Sequence, residues 1–324
     1  MAVPTIYLDT NVYNRIADAF IPSVAAAATL SRRSRSLNLT PTLSPINILE
    51  VLQISDEDRR ERLIYILQLL CDDRLLHEPE SLFVDYIARQ LADKSIERFR
   101  LETIFSDSQL AAVWRDVRSS PAKTFITDQA SFVKLDVMKA LEGYFHAHYS
   151  RGGSITNIDI HGLTPREPTA DSIIESFQAV TQQLRGREAS PNRLEQPFER
   201  IWIAISTMLC TGFTPYPDAI DRFWKHLNIS PASARVEYAV KHFPFLATEG
   251  PFVGIGVWLS WCATLAHNRG NLFDALHLGY LPYIDRFLTL DSNIIEFAKD
   301  RPRSAVMQKV EDAAEYVDCL VGSA

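Results

Sequence analysis

Cysteine is scarce in this sequence: Cys71, Cys210, Cys262 and Cys319 are the only four, and none stands in CxxC spacing. That scarcity excludes a disulfide framework and offers no zinc knuckle, so the thiols are expected to be buried and reduced. An excess of positive charge is missing too, since 33 Lys and Arg face 40 Asp and Glu for a net charge of −7. A protein that coats nucleic acid through its overall charge is thereby excluded, while a local basic patch or a bound cation would still accommodate phosphate. Long apolar runs are also lacking. The one uncharged stretch of membrane-like character, GPFVGIGVWLSWCATLA, is 17 residues long and contains Pro251. It falls short of the ~20 residues of a span and reads as a buried helix. The opening MAVPTIYLDTN has neither the basic start nor the longer apolar core of a secretory signal, and the expected location is the cytoplasm, away from membranes.

What is present is the balance of a globular protein, 47% hydrophobic and 23% charged over 324 residues, enough for two domains or for one with a long insertion. The apolar run VPTIYL ends at Asp9-Thr10-Asn11, and VYNRIADAF continues with helical spacing: strand, polar turn, helix. SVAAAATLSRRSRSL reads as a second helix. Ser44-Pro45 then opens a third, PINILEVLQ, with Ser as N-cap and Pro at its first position. Near the other end, GNLFDALHLGYLPYIDRFLTLDSNIIEFAKD reads as helix, turn, strand RFLTL and helix. Alternating strands and helices predict an α/β fold whose parallel sheet is flanked by helices, with ligands at the carboxyl ends of the strands. Residues 56–265 show three-to-four apolar spacing in segment after segment and are expected to form a large, mostly α-helical insertion into a discontinuous core of 1–55 and 266–324.

Four acidic residues sit where such a fold could aim them at one point: Asp9, Glu50, Asp274 and Asp291. Their settings are Leu8-Asp9-Thr10-Asn11 at a strand end, Glu50 on the early helix SPINILEVLQ, Asp274-Ala275-Leu276-His277 opening a helix, and Leu288-Thr289-Leu290-Asp291 after a strand. The set resembles the PIN-domain nucleases in its LDTN-like, DxxH-like and LTxD elements, over about the first 55 and last 60 residues. The resemblance implies a metal-dependent endonuclease, acting on RNA, with a toxin-like role open to it. Carboxylates suit hard Mg²⁺ or Mn²⁺, which would activate a water and stabilise phosphoryl charge. In that reading Asp9, Asp274 and Asp291 hold the ion or ions, Glu50 completes coordination or orients water, and Thr10, Asn11 and Thr289 support them through hydrogen bonds.

Plainer roles compete for each residue. Asp274 could only face a helix dipole, Asp291 could only cap NIIEFA, and Glu50 could be a solvated helix residue. Asp285 reads as the turn before a strand, His277 as packing, and His146 and His148 as a surface helix end. Arg32, Arg33 and Arg35 form a basic cluster close in sequence to the acidic site and are expected either to steer phosphate or to be a solvated helix end. The tryptophans at 114, 202, 224, 258 and 261 read as core. A structure-specific DNA nuclease and a non-catalytic PIN-like scaffold that binds a protein partner through its insertion are the alternative functions.

Overall fold

The structure is a computed structural model that describes residues 4–20, 23–37, 40–52, 54–71, 73–91, 94–107, 110–119, 218–230, 234–235, 238, 241–242, 274, 277–299 and 306–322. The chain divides into two compact units: Met1–Glu78, Thr103–Thr127 and Tyr280–Ala324 form the first, Pro79–Glu102 and Asp128–Gly279 the second. Gly250–Ala266, His146, His148, Trp202, Trp258, Trp261, Cys210 and Cys262 lie outside the described residues. Among the described residues no helix is long and apolar enough to cross a membrane.

The first unit is built on strand β1 (Ile6–Leu8), followed by helices α1 (Thr10–Ala19) and α2 (Val24–Ser36), strand β2 (Pro41–Thr42), and helices α3 (Pro45–Leu52) and α4 (Glu57–Leu70). All three β1 residues are buried, as the centre of a parallel sheet covered on both faces requires. β2 pairs parallel to β1 on one side, Ile6 opposite Pro41. Strand β5 (Arg286–Thr289) pairs parallel on the other, Leu8 opposite Leu288, and β6 (Val310–Asp312) continues beyond β5. The sheet order is β2-β1-β5-β6. Its growth reverses at β1, so the crevice at the carboxyl ends of β1 and β5 is the topological switch point, where open α/β sheets place ligands.

Helices cover this sheet through one apolar cluster. α1 contributes Val12, Tyr13, Ile16 and Ala17, while α4 contributes Leu63, Ile64, Ile66, Leu67 and Leu70, rows at helical spacing that α1 and α4 present to a common core. Short strands β3 (Leu75–Leu76) and β4 (Phe105–Ser106) pair antiparallel, and α6 (Leu110–Ser119) adds Leu110, Trp114 and Val117. α4 and α6 fall inside the stretch read as insertion, yet they pack in the first unit because their apolar faces complete its core. After β5 comes α8 (Ser292–Lys299), and after β6 comes α9 (Ala314–Val321), which packs Tyr316, Val317 and Leu320 into the same cluster. Of the two described cysteines, Cys71 is half-buried against the Tyr13 hydroxyl and Cys319 is exposed, because it lies on the outer face of α9.

In the second unit α5 (Pro79–Gln90), a 3₁₀ segment (Lys94–Phe99) and α7 (Asp218–His226) are described. α7 buries Ala219, Ile220, Phe223 and Trp224. Trp114 and Trp224 are thus both core residues.

Candidate metal centre

Asp9 is the residue at which β1 stops and α1 starts. Its amide extends the sheet ladder to the Leu288 carbonyl at 3.0 Å, and its carboxylate caps α1 only weakly, taking the Asn11 N–H at 3.4 Å. The side chain is buried at 3% exposure, so its charge needs partners there. Thr289, at the end of β5, donates its hydroxyl to Asp9 Oδ2 at 2.6 Å. Asn11 donates Nδ2 to the same oxygen at 2.8 Å, and its own Oδ1 accepts the Leu290 amide at 3.1 Å. Two adjacent strand ends are stitched together around one carboxylate.

Glu50 reaches the same crevice from α3 by a different route. A carboxylate oxygen of Glu50 and one of Asp9 lie within 4.8 Å of each other. Thr10, the residue after Asp9, donates its hydroxyl to Glu50 Oε2. Behind this pair runs a buried polar chain. Asn47 Nδ2 donates to Thr10 Oγ1 at 3.0 Å and to the Leu8 carbonyl at 3.1 Å, while Asn47 Oδ1 accepts the Ser44 amide at 3.0 Å and the Ser44 hydroxyl at 3.1 Å. Ser44 Oγ accepts the Asn47 amide at 3.3 Å and lies 2.6 Å from the Tyr7 hydroxyl. Ser44 and Asn47 therefore form a reciprocal cap at the start of α3, and Pro45 takes the position whose N–H would have no partner.

Proton counting gives that chain a direction. The Ser44 hydroxyl has one proton, engaged on Asn47, so Tyr7 must be the donor to Ser44. Burial, ahead of any other cause, pushes the Tyr7 hydroxyl well above the ordinary tyrosine range, with Glu50 and Asp9 adding to the rise, which keeps that proton in place. The Thr10 hydroxyl, accepting from Asn47, sends its one proton to Glu50. Along the side-chain path Tyr7–Ser44–Asn47–Thr10 each donor thus points toward Glu50, a fixed arrangement that a carboxylate acceptor completes. Leaving any of these buried groups unpaired would cost about 1–3 kcal/mol, which holds Glu50 in one place relative to Asp9.

Asp291 follows β5 by two residues. Its amide donates to Thr289 Oγ1 at 3.0 Å, and its Oδ1 accepts the amides of Asn293 at 2.7 Å and Ile294 at 3.3 Å, so it caps α8. One carboxylate oxygen is engaged in the cap. Thr289 joins Asp291 to Asp9, because the same hydroxyl serves the Asp291 amide and the Asp9 carboxylate. Asp274 and His277 belong to the second unit, and His277 is fully buried. Asp285 is exposed in the turn before β5, where it accepts the Thr5 amide at 2.7 Å.

The arginine cluster takes a different place from the one its sequence neighbourhood suggested. Ala313 bonds the Thr289 carbonyl at 2.9 Å, so α9 starts at the carboxyl edge of the sheet and carries its other end roughly 10 Å away. Arg33 donates to the Leu320 carbonyl at 2.9 Å at that far end, where a guanidinium satisfies a last-turn carbonyl and complements the helix dipole. Arg32 lies back on its own helix, bonding the Ala28 carbonyl and Thr29 at 3.3 Å each, and Arg35 is exposed. None of these contacts is with Asp9 or Glu50. Three residues important to the centre, Tyr7, Ser44 and Asn47, escaped sequence reasoning as site members. The signal was the Ser-Pro-x-Asn spacing, which marks a reciprocal cap and fixes how α3 meets β1.

The chain matches no protein-family model, and no curated protein or solved structure matches it.

Proposed function

We propose that this chain is a PIN-like, divalent-cation-dependent endonuclease that hydrolyses phosphodiester bonds in RNA. The observation that carries the reading is the Asp9–Glu50 pair, two carboxylates within 4.8 Å at the switch point of a parallel sheet. Like charges at that separation repel by roughly 3 kcal/mol at an effective dielectric of ~20, and a cation reverses the sign. The two carboxylates offer oxygen donors, which suit Mg²⁺ and Mn²⁺. When bound, such an ion supplies a hydroxide-like water and neutralises phosphoryl charge.

The residues of the chain hold and aim the centre. Asp9 and Glu50 are the ligands, Asn11 and Thr289 fix the Asp9 carboxylate, and Thr10 fixes Glu50 at the end of its donor chain. Asp291 lies outside the group whose ligand atoms come within 4.8 Å of one another, and with Oδ1 kept on α8 it is Oδ2 that would meet an ion. Asp274 enters on its DALH motif alone and is tested by Asp274→Asn in the assay below. RNA as the substrate rests on the resemblance of the LDTN, DALH and LTLD segments to the PIN family.

The test is a panel of labelled single-stranded and duplex RNA and DNA incubated with purified protein. Cleavage of RNA with Mg²⁺ or Mn²⁺, abolished by EDTA, is the expected result. Cleavage of DNA alone would replace the substrate class, and no cleavage of any member with either ion would leave a scaffold that binds without chemistry.

A further inference from the structure

The second unit carries a basic cleft of its own. On α7, Arg222, Lys225 and His226 follow one another at the three- and four-residue spacing that shares a helix face, while Ala219, Ile220, Phe223 and Trp224 are buried. Across from them the 3₁₀ segment supplies Arg98 and Phe99, and together these side chains line a cleft of about 600 Å³. The backbone beside them is firmly held. Buried Asp85 accepts the Leu101 amide at 2.7 Å and Arg89 Nε at 2.8 Å, and Arg89 donates onward to the Leu101 carbonyl at 2.6 Å. The Phe99 ring meets Phe223 and His226 edge-on at 5.6 Å, with the Arg98 guanidinium 5.0 Å from its centroid.

Among the described residues no carboxylate lines this cleft. Asp221 on the same helix faces Arg235 at 3.8 Å, and Asp218, one turn before Arg222, is not among the lining residues. Arg98, Arg222 and Lys225 are exposed, and among the described residues none of the three is in an ion pair. Converging cations repel one another unless an anion joins them, and this occurs in a chain whose net charge is −7. Cations spread along a cleft wider than a lone phosphate fit charge repeated at intervals. The aromatic ring and guanidinium plane beside them fit a base.

We propose that this cleft binds the backbone of a single-stranded nucleic acid, with Arg98, Arg222 and Lys225 on successive phosphates. The anion preference follows from the cleft alone, and its occupant being the RNA substrate rests on the nuclease reading above. The test is fluorescence anisotropy of a short labelled 2′-O-methyl RNA, which resists hydrolysis, titrated with the full chain in EDTA at several salt concentrations. The triple variant R98Q/R222Q/K225Q should bind at least ~10-fold more weakly, and the slope of log affinity against log salt should fall by about 2, near 0.7 for each phosphate that keeps its counterions. All three side chains are exposed, so its melting curve should match wild type; Arg222→Glu alone serves as a second variant and should weaken binding in the same direction. Unchanged affinity and slope in both variants would overturn the proposal. Equal competition by inorganic phosphate or a mononucleotide would also overturn it, since the cleft would then take a free anion. Because neither metal nor cleavage enters, tight binding by a protein that cuts nothing would sink the nuclease reading and leave this one standing.

Discussion

Asp9→Asn should lower metal-dependent RNA cleavage by at least ~1,000-fold, or about 4 kcal/mol of transition-state stabilisation. The fold should tolerate the change. An asparagine can place its amide oxygen where Asp9 Oδ2 now accepts Thr289 and Asn11, leaving its NH₂ at Oδ1, whose helix contact to the Asn11 amide is already long at 3.4 Å. What disappears is the negative charge that a hard cation requires. Initial rates with Mn²⁺, alongside a melting curve for the variant, check both halves. A variant that cuts as fast as wild type would assign the activity to a contaminant or to another part of the chain.

The second large effect is on stability in the presence and absence of metal. An ion that binds only the folded chain at a hundred times its dissociation constant adds about 2.7 kcal/mol, so Mn²⁺ should raise the melting temperature of the wild type by about 5 °C or more. Asp9→Asn should lose nearly all of that rise. Without metal the same variant should be at least as stable as wild type, because one member of the repelling Asp9–Glu50 pair is neutral. Asp291 separates its two roles by chemistry. Asparagine is as good an N-cap as aspartate, so Asp291→Asn should melt like wild type without metal, whereas Asp291→Ala should lose about 1 kcal/mol with the cap of α8. Both should blunt the Mn²⁺ response. If Asp291→Asn keeps the whole response, Asp291 is a cap and no ligand.

Much of this architecture was readable from local pattern. The apolar run before Asp9, the helical spacing after it and the Ser44-Pro45 start of α3 are short-range signals, and each marks an element whose ends the structure places within a few residues. β6 was not readable, since Val310-Glu311-Asp312 is a short, polar edge strand that acquires its conformation from pairing with β5, helped by the Arg286–Glu311 ion pair. Nor did the pattern say which core α4 and α6 would join, because an amphipathic face specifies burial without naming the partner. For Arg33 the partner is the Leu320 carbonyl at the last turn of α9, a contact across the chain that sequence neighbourhood does not name. Asn47 looked like any polar helix residue. Its meaning depends on Leu8 and Thr10 arriving beside it, which only the β1–α3 packing decides.

Whether a divalent ion binds at Asp9 and Glu50 is decided by anomalous diffraction from crystals of the full chain grown with Mn²⁺. The expected result is a manganese peak ~2.0–2.3 Å from a carboxylate oxygen of each residue, present in wild type and absent in Asp9→Asn. A well-ordered crevice with no peak there, or manganese bound only at other carboxylates, would contradict it.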